Sequence, residues 1–117
     1  MSSENKEWLN VCPLDDLPEG EAIRVDSDPP IAVFNVDGTI LAIDDTCTHQ
    51  EASLSEGWVE GYDVECPLHA SCFNLRTGQP DQPPATEPVR VHRVTVNNGL
   101  IQVEVARSVN SIKSFGA

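Results

Sequence analysis

An all-β fold is predicted for this 117-residue chain by three features. The first is a pair of turn dipeptides, Asp37-Gly38 and Asn98-Gly99, each set between two apolar runs of strand length. Such dipeptides accept the positive φ that two-residue hairpin turns demand. The second is a period of two, clearest where Ile101, Val103 and Val105 alternate with polar neighbours and so share one face of a strand. The third is that no 3.6-residue apolar period persists long enough for a long helix. A chain of this length forms one domain, 1–117, with a real core but little room for a large substrate cavity.

Taken in order, residues 7–12 and 21–25 are expected as short strands separated by the turn-rich run Pro13 to Gly20. Ile31 to Val36 and Thr39 to Ile43 form the first hairpin around Asp37-Gly38. Tyr62 to Glu65 and Cys72 to Leu75 follow as small strands, with a turn at Ala52 to Gly57. Gly78 to Ala85, which contains Pro83-Pro84, is rich in turn formers and can serve simply as a connector. Val91 to Val96 and Leu100 to Val105 form the second hairpin. The tail 107–117 is small and polar and is expected to fray. The architecture expected is an antiparallel sandwich or barrel built from 1–43 and 81–106, with a smaller subdomain at about 44–80 inserted into it.

That inserted segment holds the chemistry. Cys47-Thr48-His49 and Cys66-Pro67-Leu68-His69 each offer one thiolate and one imidazole, and sixteen residues separate them. In C-x-H the alternation of an extended segment brings both donors to one side. In C-x-x-H the chain must turn, and Pro67 sets φ for that turn. Two facing loops then supply four metal ligands. Zinc suits these donor types, but zinc fingers usually pair Cys with Cys and His with His. A mixed pair on each loop suits a two-iron cluster in which one iron takes two Cys and the other two His, the Rieske 2Fe-2S centre.

The pattern C-T-H, sixteen residues, then C-P-L-H-A, followed by Cys72-Phe73-Asn74-Leu75-Arg76-Thr77-Gly78 and a Pro83-Pro84 loop, resembles the small Rieske-type ferredoxins of bacterial aromatic-ring-hydroxylating dioxygenase systems. The resemblance runs over nearly the whole chain. It implies the Rieske fold and one Rieske-type 2Fe-2S cluster per chain, with Cys47 and Cys66 on the buried iron and His49 and His69 on the outer one. It also implies that the proline loop covers one side of the cluster. The role implied is a soluble one-electron carrier, with no catalytic residues of its own. It takes electrons from an NADH-dependent flavoprotein reductase and passes them to a Rieske non-haem iron terminal oxygenase in aromatic compound degradation, docking transiently with each. A similar domain also occurs as the small subunit of assimilatory nitrite reductase, which is the alternative role. A zinc-stabilised binding module is a third.

Charge arithmetic shows what the histidines do. Two ferric ions, two sulfides and two thiolates sum to zero, whereas a four-thiolate cluster sits two charges lower and accepts an electron less readily. High-potential Rieske proteins add a disulfide that clamps the two loops. Here Leu68 and a position within Gln50-Glu51-Ala52 stand in its place. Of the two hydroxyl donors in that branch, Ser71 is present and the tyrosine position is Phe73. A potential in the lower half of the roughly −150 to +300 mV Rieske span is therefore expected, with a small upward contribution from Ser71.

The remaining Cys12, Cys72 and His92 are read as packing or surface residues. Net charge is −12, and no Lys or Arg lies between Arg24 and Arg76. That window holds ten acids: Asp26, Asp28, Asp37, Asp44, Asp45, Glu51, Glu56, Glu60, Asp63 and Glu65. Part of this is a solvated surface, and part is a field that steers partners with basic faces. Nucleic acid is disfavoured, because such a surface repels phosphate. Met1 to Glu7 lacks the basic and apolar regions of a signal peptide, and no stretch approaches membrane-span length. A cytoplasmic monomer away from membranes is expected.

Overall fold

The computed structural model describes residues 6–27, 29–47, 52–67, 71–81 and 87–106, and shows an all-β molecule of ten strands in three antiparallel sheets among them. The strands are β1 (Lys6–Pro13), β2 (Ala22–Val25), β3 (Ile31–Val36), β4 (Thr39–Asp44), β5 (Trp58–Glu60), β6 (Asp63–Glu65), β7 (Cys72–Asn74), β8 (Val91–His92), β9 (Val94–Asn97) and β10 (Leu100–Ala106). One sheet runs β1-β10-β9, a second β2-β3-β4-β8 and a third β5-β6-β7.

The three sheets stack in layers. All six residues of β3 are buried, because its sheet is covered on both faces. Ile31 and Val33 face a core shared with Ile101 and Val103 of β10, while Ala32, Phe34 and Val36 face a second core shared with Val64 and Phe73 of the third sheet. A strand covered on both sides reads as a near-continuous apolar run, as Ile-Ala-Val-Phe-Asn-Val does. Its one polar member is fully engaged. Asn35 donates from Nδ2 to the Leu17 carbonyl at 2.7 Å and accepts from the Gly38 N–H at 2.8 Å.

Both expected hairpins form. Asp37 and Gly38 have φ of 52° and 90°, and Asn98 and Gly99 have 55° and 78°, so both turn residues are left-handed in each case. The strand expected at 91–96 is instead broken at Arg93. Its first part, β8, pairs with β4, and its second part, β9, pairs with β10, so one extended segment serves two sheets. The β5 strand, Trp58-Val59-Glu60, was absent from the sequence expectation. It forms because β6 offers it an edge, with Trp58 opposite Glu65 and Val59 opposite Val64. The expected turn at 52–57 contains a 3-10 segment, Leu54–Glu56. After β7 the chain returns beside it: Asn74 donates to the Gln79 carbonyl at 2.9 Å and Asp81 donates to the Cys72 carbonyl at 2.9 Å. Pro83, Pro84 and the tail 107–117 lie outside the described residues.

Candidate metal centre

Strand alternation delivers the two cysteines. Along the end of β4, Ile43, Asp45 and Cys47 are buried while Thr46 is exposed, so the inward face continues past the last strand residue. Along β6, Val64 and Cys66 are likewise buried and Asp63 is exposed. Cys47 retains 3% and Cys66 0% of its accessible surface, and both belong to one buried cluster with Ala52, Leu54, Val64 and Phe73.

The two loops are built alike. The Cys47 N–H donates to the Ala52 carbonyl at 3.0 Å, with Thr46 bridged to Ser53 behind it. The Cys66 N–H donates to the Ser71 carbonyl at 3.0 Å, with Glu65 paired to Cys72 behind it. Each cysteine is therefore paired across its loop to the residue five positions later, Cys47 to Ala52 and Cys66 to Ser71. His49 and His69, between those paired residues in sequence, lie outside the described residues. Among the described residues, no group of three or more His, Cys, Asp or Glu comes together to hold a metal. The donor chemistry fits an iron-sulfur cluster: two buried thiols enter one core from equivalent loop positions, each followed in sequence by an imidazole.

Two contacts hold the loops against each other and in shape. A Cβ on Gly57 would lie 2.1 Å from the Glu65 carbonyl oxygen and 3.1 Å from Val64, so only glycine lets the chain after the first loop pass so close to the strand entering the second. The other is a carboxylate. Asp45, 2% exposed, accepts from the Ser53 hydroxyl at 2.8 Å to Oδ1 and 2.7 Å to Oδ2, and from the Ser55 N–H at 2.9 Å. Ser53 has one hydroxyl hydrogen, directed at this carboxylate, so the 2.8 Å contact between Ser53 and Ser55 Oγ is donated by Ser55. Arg24, on the face of β2 that looks toward the same core, places Nε 3.6 Å from Asp45 Oδ2 and 3.5 Å from Asp26. A cleft of about 270 Å³ opens here, lined by Arg24, Asp45, Thr46, Ala52 and Ser53.

The other residues singled out from sequence fall into place. Ser71 is fully buried opposite Cys66, and Phe73 is fully buried on the inner face of β7. Cys72 is half-buried on the outer face. Burial pushes its thiol pKa up, and the carboxylates of Asp81, Glu65, Asp63 and Glu60 push it further. A thiol held protonated is a poor metal ligand. Burial also raises the Cys12 thiol, helped by Asp16. His92 is half-buried, with Nε2 2.7 Å from Asp44 Oδ1, and Arg90 Nε is 3.0 Å from Asp44 Oδ2. Asp44 and Asp45 are thus internal partners rather than surface charge. The signal for Asp45 was present in sequence, as an acid at the inward position between Ile43 and Cys47. The outer face of the third sheet shows Trp58, 63% exposed, in one cross-strand row with Glu65 and Cys72, and Glu60 and Asp63 in the next.

Comparison with known proteins agrees with this geometry. The 3-phenylpropionate/cinnamic acid dioxygenase ferredoxin subunit of Escherichia coli is 50% identical over 98 residues, covering 83% of this chain and 92% of that protein. The ferredoxin-like chain in the solved complex of reduced oxygenase and oxidized ferredoxin in carbazole 1,9a-dioxygenase is 40% identical, with a TM-score of 0.81 over 87% of this chain and 96% of that one. The NADH-dependent nitrite reductase small subunit from Mycobacterium tuberculosis is 26% identical, with a TM-score of 0.77 over 88% and 98% of the two chains. Residues 7–98 match the Rieske 2Fe-2S domain. With two equivalent loops, two buried thiols and this match over most of its length, the chain belongs to the Rieske 2Fe-2S domain family, and a Rieske-type 2Fe-2S cluster is its cofactor.

Proposed function

We propose that the chain is the one-electron carrier of an aromatic-ring dioxygenase system, with Cys47, His49, Cys66 and His69 as the four ligands of a single cluster. The observation that carries the ligand set is the matched position of Cys47 and Cys66, each buried, each paired to the residue five positions later, and each followed within three residues of sequence by the motif's histidine. The cluster, when bound, supplies reversible one-electron chemistry. The protein's own part is to bury the two thiols, exclude water from them and supply the two histidines through which electrons enter and leave. Electrons come from an NADH-dependent flavoprotein reductase and go to a Rieske non-haem iron terminal oxygenase, each docking briefly. This reading draws on the 50% identity to a dioxygenase ferredoxin subunit and on the likeness to a ferredoxin solved with its oxygenase. The nitrite reductase role has a more distant relative behind it, at 26% identity, and stable copurification with a large sirohaem protein would favour it.

Visible absorption and reduced-state EPR of the purified protein test the cluster. A brown sample with the rhombic signal of mixed histidine and cysteine ligation is expected; a colourless, EPR-silent sample with stoichiometric zinc would refute it. The ligand set has its own test. His69→Cys adds a thiolate charge, so the variant should keep a cluster at a lower potential. Potentiometry showing no drop would mean that His69 is not a ligand.

A further inference from the structure

We propose that Asp45 is a positioning residue for the first ligand loop and that its buried charge, set against Arg24, holds the reduction potential down. This rests on the cluster reading above. Asp45 stands two residues before Cys47 on the same inward face, is 2% exposed, and anchors the far arm of the hairpin through Ser53 and Ser55. Its backbone joins the same frame, since the Leu54 N–H donates to the Asp45 carbonyl at 2.6 Å and the Asp45 N–H donates to that of Pro30 at 3.0 Å. The carboxylate thereby ties residues 53–55 to the residues that precede Cys47, closing the base of the loop.

The electrostatic role follows from the same burial. Reduction adds one negative charge to a cluster held by Cys47, two residues from a carboxylate that is buried, and repulsion through protein is screened less than through solvent. Arg24 opposes it only in part, because its side chain is 52% exposed, its Nε is 3.6 Å away and Asp26 shares it. Asp45 and Arg24 should therefore move the potential in opposite directions.

Substitution separates the two roles. In Asp45→Asn the amide oxygen can still accept from the Ser55 N–H and the amide nitrogen can donate to the Ser53 hydroxyl, so the frame survives without the charge. We expect an unchanged iron content and a higher midpoint potential. The reduced-to-oxidised ratio at fixed poise should rise about tenfold, equivalent to about 59 mV for one electron. Asp45→Ala removes the acceptor as well and should lose cluster on isolation. Arg24→Gln should lower the potential, a sign that a purely structural role would not produce. An Asp45→Asn potential at or below that of the parent protein, with iron content intact, would overturn the proposal. Should that variant hold no cluster, Arg24→Gln decides alone, and an unchanged or higher potential overturns it. Absence of a Rieske signal in the parent protein is a different result and would overturn the functional reading instead.

Discussion

Four cysteines occur in the chain, and the surroundings of each thiol separate two kinds. Cys47 and Cys66 are inward residues just past strand ends, followed in sequence by His49 and His69. Cys12 and Cys72 sit within strands, half-buried, with thiol pKa values raised first by burial and then by nearby acids. The distinction was half legible in sequence, because the C-x-H and C-x-x-H spacing marks Cys47 and Cys66 as the candidate ligands. The reason Cys72 stands apart was not legible, since it depends on Glu65, Asp63 and Glu60 being brought beside it across two strand pairings and on Asp81 returning along β7. A raised native pKa means the folded state keeps its proton longer than the unfolded chain. Its contribution to stability is full below the ordinary thiol pKa and is lost as pH rises through the native value. Thermal unfolding followed from neutral to alkaline pH should therefore show a shallower decline for Cys72→Ser than for the parent; an identical decline would mean that Cys72 is no better protonated in the fold than out of it.

At the scale of elements, the two cysteine-bearing loops share one design at their bases and are joined by a close crossing at Gly57. The first is the continuation of β4 and the second the continuation of β6, so both inherit their inward face from strand alternation. Gly57→Ala would press a methyl group on the Glu65 carbonyl, one residue before Cys66, and should cost about 1–3 kcal/mol with a matching fall in melting temperature. Trp58→Ala, one residue later but on the exposed face, should change stability by less than about 0.5 kcal/mol. Equal losses in the two variants would mean that the face assignment of β5 is wrong. Sequence showed the strands that carry a turn dipeptide, because Asp37-Gly38 and Asn98-Gly99 are local signals. It did not show β5, three residues with no turn signal and an exposed tryptophan, because that strand exists only through the edge that β6 provides.

Across the whole molecule, three stacked sheets put the central one between two cores, and the Cys47 and Cys66 thiols enter the core that this sheet shares with the third. The net charge of −12 surrounds this core, although Asp44 and Asp45 are spent on internal partners and contribute little to the outer field. The outer face of the third sheet keeps Glu60, Asp63 and Glu65 beside the second ligand loop. Partners with basic docking faces should be steered to it, so stopped-flow reduction by a flavoprotein reductase should slow several-fold between about 0.01 and 0.15 M salt, as the screening length falls from about 30 to 8 Å. A rate independent of salt would leave the acidic surface a role in solubility alone.

By itself the sequence determined what local chemistry can determine: the all-β class through period-two alternation, two hairpins through dipeptides that tolerate positive φ, and the candidate ligands through donor types at short spacing. Each of those signals is complete within a few residues. The tertiary structure decided what depends on residues distant in the chain. It split the strand at Arg93 between two sheets, created β5 on a neighbour's edge, and turned Asp45 from one acid among ten into a buried anchor facing Arg24, twenty-one residues earlier. Burial and pairing are properties of what surrounds a residue, and the surroundings exist only once the three sheets have packed.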